Sequence, residues 1–175
     1  LPTEIVERLM ADNKMGNRLK QSLNSLLPQD IRVLKIEQAS DRFHSIQEVQ
    51  QKTYVYFIDP NPVQIPALRD YAWHLRLPLD WTAMQKAAEF LPGEHDFKAF
   101  CASNSDAKTT VRTVFEAFWG SVECSGMFET RLHAFRITGN GFLKQMVRSI
   151  VGTLVQVGSG KMPPEKILDL LSNGD

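Results

Sequence analysis

Arg148 and Tyr54 are the residues whose type and setting most invite chemistry. Arg148 sits in a stretch, 142–157, where Leu143, Met146, Val147, Ile150, Val151 and Leu154 recur at helical spacing. Lys144 precedes it by one turn. A guanidinium beside Val147, Ile150 and Val151 has two outcomes. It pairs with a carboxylate or phosphate, because an unpaired buried charge is very costly, or it snorkels past the apolar face into water. Spacing alone leaves both open. Tyr54 alternates with Tyr56 and Ile58 on one face of a strand-like run, 52–59, with Val55 and Phe57 on the other. On this pattern alone Tyr54 is a half-buried strand tyrosine packing with Tyr56. Asp96 stands before Phe97 and Phe100 and reads as a turn and helix cap. The histidines, His44, His74, His95 and His133, are scattered, and so are Cys101 and Cys124. Neither type clusters at metal-ligand spacing, and two cysteines make neither a disulfide framework nor a four-ligand zinc site, so reduced thiols and no metal are expected.

The elements that must position these residues follow from pattern. Helices are expected over residues 2–11 and 19–27, the second stopped by Pro28. Residues 31–38 alternate as a half-buried strand does, and 52–59 form another. Asp59-Pro60-Asn61-Pro62 is a turn. A helix is expected near 65–75. Asp80-Trp81-Thr82 opens one that carries Met84, Ala87, Ala88 and Leu91 and ends at Pro92-Gly93. Residues 112–122 and 129–138 form a long antiparallel hairpin around Cys124-Ser125-Gly126. Gly139-Asn140-Gly141 breaks the chain before the helix of 142–157, which Gly158 and Gly160 end. Pro163 and Pro164 start a last helix with Ile167, Leu168, Leu170 and Leu171. Strands and helices mix without regular βαβ alternation, which predicts an α+β fold with a mainly antiparallel sheet and helices packed on one face.

The 175 residues suit one domain or one large half of a split domain. Lys+Arg and Asp+Glu both number 20, so net charge neither points to nucleic acid nor excludes a local basic groove. No apolar run reaches the roughly 20 residues that cross a bilayer, and no signal peptide is visible. The start at Leu1-Pro2-Thr3 and the end at Asn173-Gly174-Asp175 suggest a fragment.

Several segments, in order, resemble the tRNA pseudouridine synthase A family. The longest runs from Phe135 to Leu154: a strand, the Gly139-Asn140-Gly141 turn, Phe142, then Met146-Val147-Arg148 and Ile150-Val151-Gly152. The others are Leu23 to Ile31, similar to an Asn-x-x-Leu-Pro-x-Asp-Ile element; Phe43-His44 followed by Lys52-Thr53-Tyr54-Val55-Tyr56; Gly93 to Phe100, similar to Gly-x-x-Asp-Phe-x-x-Phe; and Arg112-Thr113-Val114. The likeness covers residues 20–172. It implies a pseudouridine synthase-like fold and isomerisation of uridine to pseudouridine in the tRNA anticodon stem-loop, without cofactor or metal. It further implies tRNA as partner and an intact form that is a homodimer; a cytoplasmic protein is expected from the two reduced thiols, and no membrane from the lack of a long apolar run.

By the same resemblance, Arg148 matches the arginine that pairs with the catalytic aspartate. Tyr54 matches the active-site tyrosine, which stacks on the uracil and helps move the C5 proton. Phe142 and His44 are expected at the substrate, and Arg112, Lys144 and Lys52 at RNA phosphates; Arg131, Arg136 and Lys161 are further basic candidates. Ser45 and Ile46 depart from the family's Ala-Arg after Phe43-His44, so RNA grip there falls to Lys52 or Arg42. The family nucleophile stands in Arg-Thr-Asp-Ala-Gly, which these residues do not contain: Arg112-Thr113 runs into Val114, and Ser105-Asp106-Ala107 lacks the Arg-Thr. In the family that motif precedes the Asn-x-x-Leu-Pro element, so the chain is expected to be a C-terminal catalytic portion, truncated at both ends and inactive alone. The alternative is a non-catalytic RNA-binding module of the same fold, or a plain structural domain.

Overall fold

The computed structural model describes residues 13–37, 39–40, 42–46, 48–124 and 129–173. The helix expected over 2–11 lies outside them. The chain divides into two compact units, Leu1–Glu48 and Val49–Asp175.

In the first unit, helix α1 spans Asn13–Leu26, six residues longer at its start than the pattern predicted. Pro28 follows, as expected of a residue that cannot continue a helix. The strand expected over 31–38 does not form: residues 31–37 pair with no other strand. Asn24 explains part of this. Its side-chain amide donates to Val33 O at 2.9 Å and accepts from Val33 N at 2.7 Å. A side chain thereby takes both backbone groups that a neighbouring strand would have used. Ile31 and Leu34 are exposed, so the alternation has no core to face.

The second unit is built on a five-stranded sheet. Its strands are β1 (Lys52–Asp59), β2 (Ala72–His74), β3 (Gly93–Asp96), β4 (Val111–Cys124) and β5 (Thr130–Gly139), ordered β2-β1-β5-β4-β3. Only the β1–β2 pairing is parallel. The expected β4–β5 hairpin forms, with β5 central. The helix expected near 65–75 does not. A single 3-10 turn at Pro66–Leu68 gives way to β2. Pairing to Phe57, Ile58 and Asp59 wins here, reinforced by Leu75 N donating to Asp59 O at 2.9 Å and an edge-on contact between Tyr56 and Trp73. Strand β3 was likewise not anticipated. It starts at Gly93, whose φ of +120° suits glycine. Asp96 accepts from Lys98 N at 3.0 Å, a turn contact; the cap position of the following 3-10 turn is Phe97, which makes no side-chain cap bond, so the cap expected of Asp96 is a turn instead.

Helix α2 (Trp81–Ala88) is capped by Asp80, whose carboxylate accepts from Ala83 N at 2.9 Å. Helix α3 (Met146–Gly158) begins four residues later than predicted, and α4 (Lys166–Asn173) follows Pro163 and Pro164. The core joins one face of the sheet to these helices: Ile58, Ala117, Phe135 and Ile137 meet Met84, Leu91, Met146, Ile150, Leu154 and Ile167. Each fully buried aliphatic side chain contributes about 1.5–3 kcal/mol. No residue of the opposite sheet face joins that cluster. The architecture is the α+β one expected, with the helices on one face.

Candidate active site

The site grows from one end of the β1–β5 pair. Tyr54 lies opposite Ile137 and Tyr56 opposite Phe135, so strand alternation sends both tyrosines to the helix-covered face. Tyr56 is half-buried, but Tyr54, nearer the end of the strand, is 49% exposed. Beyond Gly139 the chain must leave β5 and double back to start α3. It does so tightly. A Cβ on Gly139 would fall 2.7 Å from Thr113 O and 3.3 Å from Phe142 Cζ, so only glycine fits. Asn140 locks the turn: its N donates to Thr113 O at 3.0 Å, and its side-chain oxygen accepts from Thr113 N at 3.1 Å.

That turn delivers Phe142 edge-on to Tyr54, with ring centroids 5.2 Å apart and planes at 85°, a favoured aromatic geometry. Helix α3 then carries Arg148 to the same place. Tyr54, Tyr56, Phe142, Gln145 and Arg148 line one cavity of about 250 Å³, floored by Leu143, Met146 and Val147. Arg148 is exposed, and its guanidinium makes no ion pair or hydrogen bond with another described residue. Its stem follows the apolar face and its charge stays at the cavity, open to a carboxylate or phosphate. Arg148 and Tyr56 also border a wider depression of about 740 Å³ along β2, with Arg69, Tyr71, Trp73 and His74.

The arrangement brings together an aromatic wall, a phenol and an unshared cation. Such a slot takes a planar ring flat against an aromatic face, with an anion held by the guanidinium. Among the described residues, no three His, Cys, Asp or Glu side chains gather as a metal-binding group, and no helix is long and apolar enough to cross a membrane.

The other expected residues fall into two groups. Lys52 pairs in register with Gly139, and Arg112 lies beside the turn, its guanidinium donating to Thr109 O at 2.9 Å. Lys144 follows the turn and is exposed. These three basic residues therefore surround the segment that carries Phe142. Arg131 is ion-paired with Glu123 toward the far end of the hairpin, Arg136 with Glu116 at 3.1 Å on the opposite sheet face, and Lys161 lies beyond the end of α3. His44 belongs to the first unit, where its Nδ1 accepts from Ile46 N at 3.3 Å. Sequence reasoning overlooked Tyr56 as a cavity residue, although its alternation with Tyr54 was a usable signal. It also overlooked Gln145, for which no sequence signal existed.

Residues 87–175 match the family model described as tRNA pseudouridine synthase. The chain belongs to that family. As a member of the tRNA pseudouridine synthase family it is 45% identical over 152 residues to the tRNA pseudouridine synthase A of Pelobacter propionicus, covering 87% of this chain and 59% of that protein. It is 40% identical over 160 residues to the protein of the same name from a Thermoanaerobacter species, covering 91% of this chain and 63% of that one. With the Bacillus pumilus protein the identity is 42% over 151 residues, covering 86% and 58%. The chain thus spans about six-tenths of the length of the curated relatives it matches. The family match includes β4, β5 and α3, and so both Phe142 and Arg148.

Proposed function

We propose that the intact protein is a tRNA pseudouridine synthase that isomerises uridine to pseudouridine in the tRNA anticodon stem-loop, and that this chain supplies the tyrosine and arginine of its active site. The observation that carries this reading is the convergence of Tyr54, Phe142 and Arg148 on one cavity, in a chain of that family. The reaction breaks the bond from N1 of uracil to C1′, turns the base, and forms a bond from C5 to C1′. The proton on C5 leaves and N1 gains one, so nothing is oxidised or reduced and no cofactor or metal is called for.

In this reading the uridine leaves its stack to reach the slot and lies against Tyr54, which Phe142 buttresses. The Tyr54 hydroxyl assists transfer of the C5 proton. Arg148 pairs with the nucleophilic aspartate of an Arg-Thr-Asp-Ala-Gly segment outside these 175 residues, holding it ionised and oriented. By the family resemblance His44 is a further substrate-binding residue. Lys52, Arg112 and Lys144 hold backbone phosphates, which makes affinity fall steeply with salt. The intact protein acts in the cytoplasm as a homodimer. Replacing the arginine tests the reading: Arg148→Ala in the intact protein should lower pseudouridine formation by on the order of 10²–10³-fold. Near-normal turnover in that variant would sink the assigned role.

A further inference from the structure

Gln145 is the one non-glycine residue with positive φ among the described residues, at φ 64° and ψ 0°. It directly precedes α3, where its carbonyl accepts from Ser149 N at 3.0 Å. Glycine or asparagine takes this left-handed conformation at less cost than glutamine. Backbone strain of this kind persists where something else is gained, and it gathers at ligand sites. Here it occurs on the wall of the cavity shared by Tyr54, Phe142 and Arg148. The side chain is exposed, and its amide makes no hydrogen bond with any described residue. The cavity therefore has apolar and aromatic walls, one cation, and one neutral group that carries a donor and an acceptor side by side.

We propose that Gln145 contacts the base, its side-chain amide reading the edge of the uracil ring. This inference rests on the pseudouridine synthase reading. Uracil presents N3–H as a donor between two carbonyl acceptors. A primary amide matches half of that edge with two bonds: its oxygen accepts from N3–H while its NH₂ donates to an adjacent carbonyl. Stacking on Tyr54 has no preference among bases, and the Arg148 guanidinium donates but cannot accept. The amide offers a donor and an acceptor side by side, the pair needed to match N3–H and an adjacent carbonyl together and so hold the ring at a chosen angle in its plane, which matters for a reaction that turns the base between bond breaking and bond forming.

The test separates backbone from side chain, because glycine is the better residue for the backbone and lacks the amide. In the intact protein, thermal unfolding and steady-state pseudouridine formation on unmodified tRNA are measured for the parent, Gln145→Gly and Gln145→Asn. The Gly variant should keep or raise the melting temperature while kcat/KM falls about tenfold, the effect of losing hydrogen bonds to a neutral ligand. The Asn variant, with a shorter amide, should lie between. Parental kcat/KM in the Gly variant would overturn the inference and leave the pseudouridine synthase reading intact. A lowered melting temperature in the Gly variant would also overturn it, by making the amide a packing group. A parent that forms no pseudouridine would remove the underlying reading and this inference with it.

Discussion

The two faces of the sheet differ in residues and in behaviour. On the helix-covered face, Tyr56, Ile58, Ala117, Trp119, Phe135 and Ile137 are buried or half-buried, and Tyr54 opens onto the cavity. On the other face, Val55, Arg136 and Phe118 lie side by side in register. There Val55 and Phe118 are exposed, and Glu116 accepts from Thr138 Oγ1 at 2.8 Å and Arg136 Nε at 3.1 Å. The ionisable groups of the two faces follow the same contrast. His133, stacked on Trp81 at 3.5 Å on the helix side, has its pKa lowered mainly by burial and then by the charge of Arg131. Glu116 has its pKa lowered mainly by the hydrogen bond from Thr138 and then by that from Arg136. One face suppresses a charge by excluding water; the other sustains a charge by supplying donors.

Paired substitutions break or sharpen this contrast. The largest expected effect is on the covered face, where Phe135→Ala should cost about 3–5 kcal/mol in denaturant unfolding by leaving a cavity in the core. Phe118→Ala, in the same hairpin but on the open face, should cost under about 1 kcal/mol. Comparable losses would mean that the open face is packed too. Next comes Gly139→Ala, where the new methyl meets the Thr113 carbonyl at 2.7 Å. It should destabilise the protein by about 1–3 kcal/mol. In the intact protein, under the proposed function, it should also weaken turnover by displacing Phe142 from Tyr54, so a loss of stability with full turnover would show that the aromatic contact is dispensable.

The smallest effects are the pH-dependent ones. His133 binds a proton less readily folded than unfolded, so stability is complete above the unfolded value near 6.5 and declines as pH falls through the lowered one. The melting temperature should therefore fall between about pH 7 and about pH 5, and less so in His133→Gln. Glu116 follows the same sign at lower pH. Its contribution is present above 4.5 and lost as pH falls through its depressed value. Glu116→Gln should flatten the acid limb of the melting curve and change little at neutral pH. An unaltered acid limb would mean that the Thr138 and Arg136 contacts do not persist in solution.

The core was legible in advance where a single period ran long enough to select one face. Leu143, Met146, Val147, Ile150, Val151 and Leu154 are all buried as their spacing required. The β4–β5 hairpin also followed from long strand-like runs around a turn. Short segments misled. Residues 31–37 alternate but find no partner strand, because Asn24 takes the Val33 backbone. Residues 72–74 join a parallel pair whose partner lies elsewhere in the chain, which no local pattern reveals.

The candidate site divides the same way. Arg148, Tyr54 and Phe142 were named from the sequence through their resemblance to a family, since their own periodicities allowed bland alternatives. That Arg148 shares one cavity with Tyr54, that Phe142 stands edge-on to Tyr54, and that Gln145 adopts a left-handed backbone on the cavity wall were decided only by the tertiary structure. The physical reason is that side-chain chemistry and period are local properties, carried by a few neighbouring residues. The 5.2 Å between two rings, 88 positions apart in the chain (142 − 54), depends instead on strand register, on the tight turn at Gly139 and on the packing of α3 against the sheet.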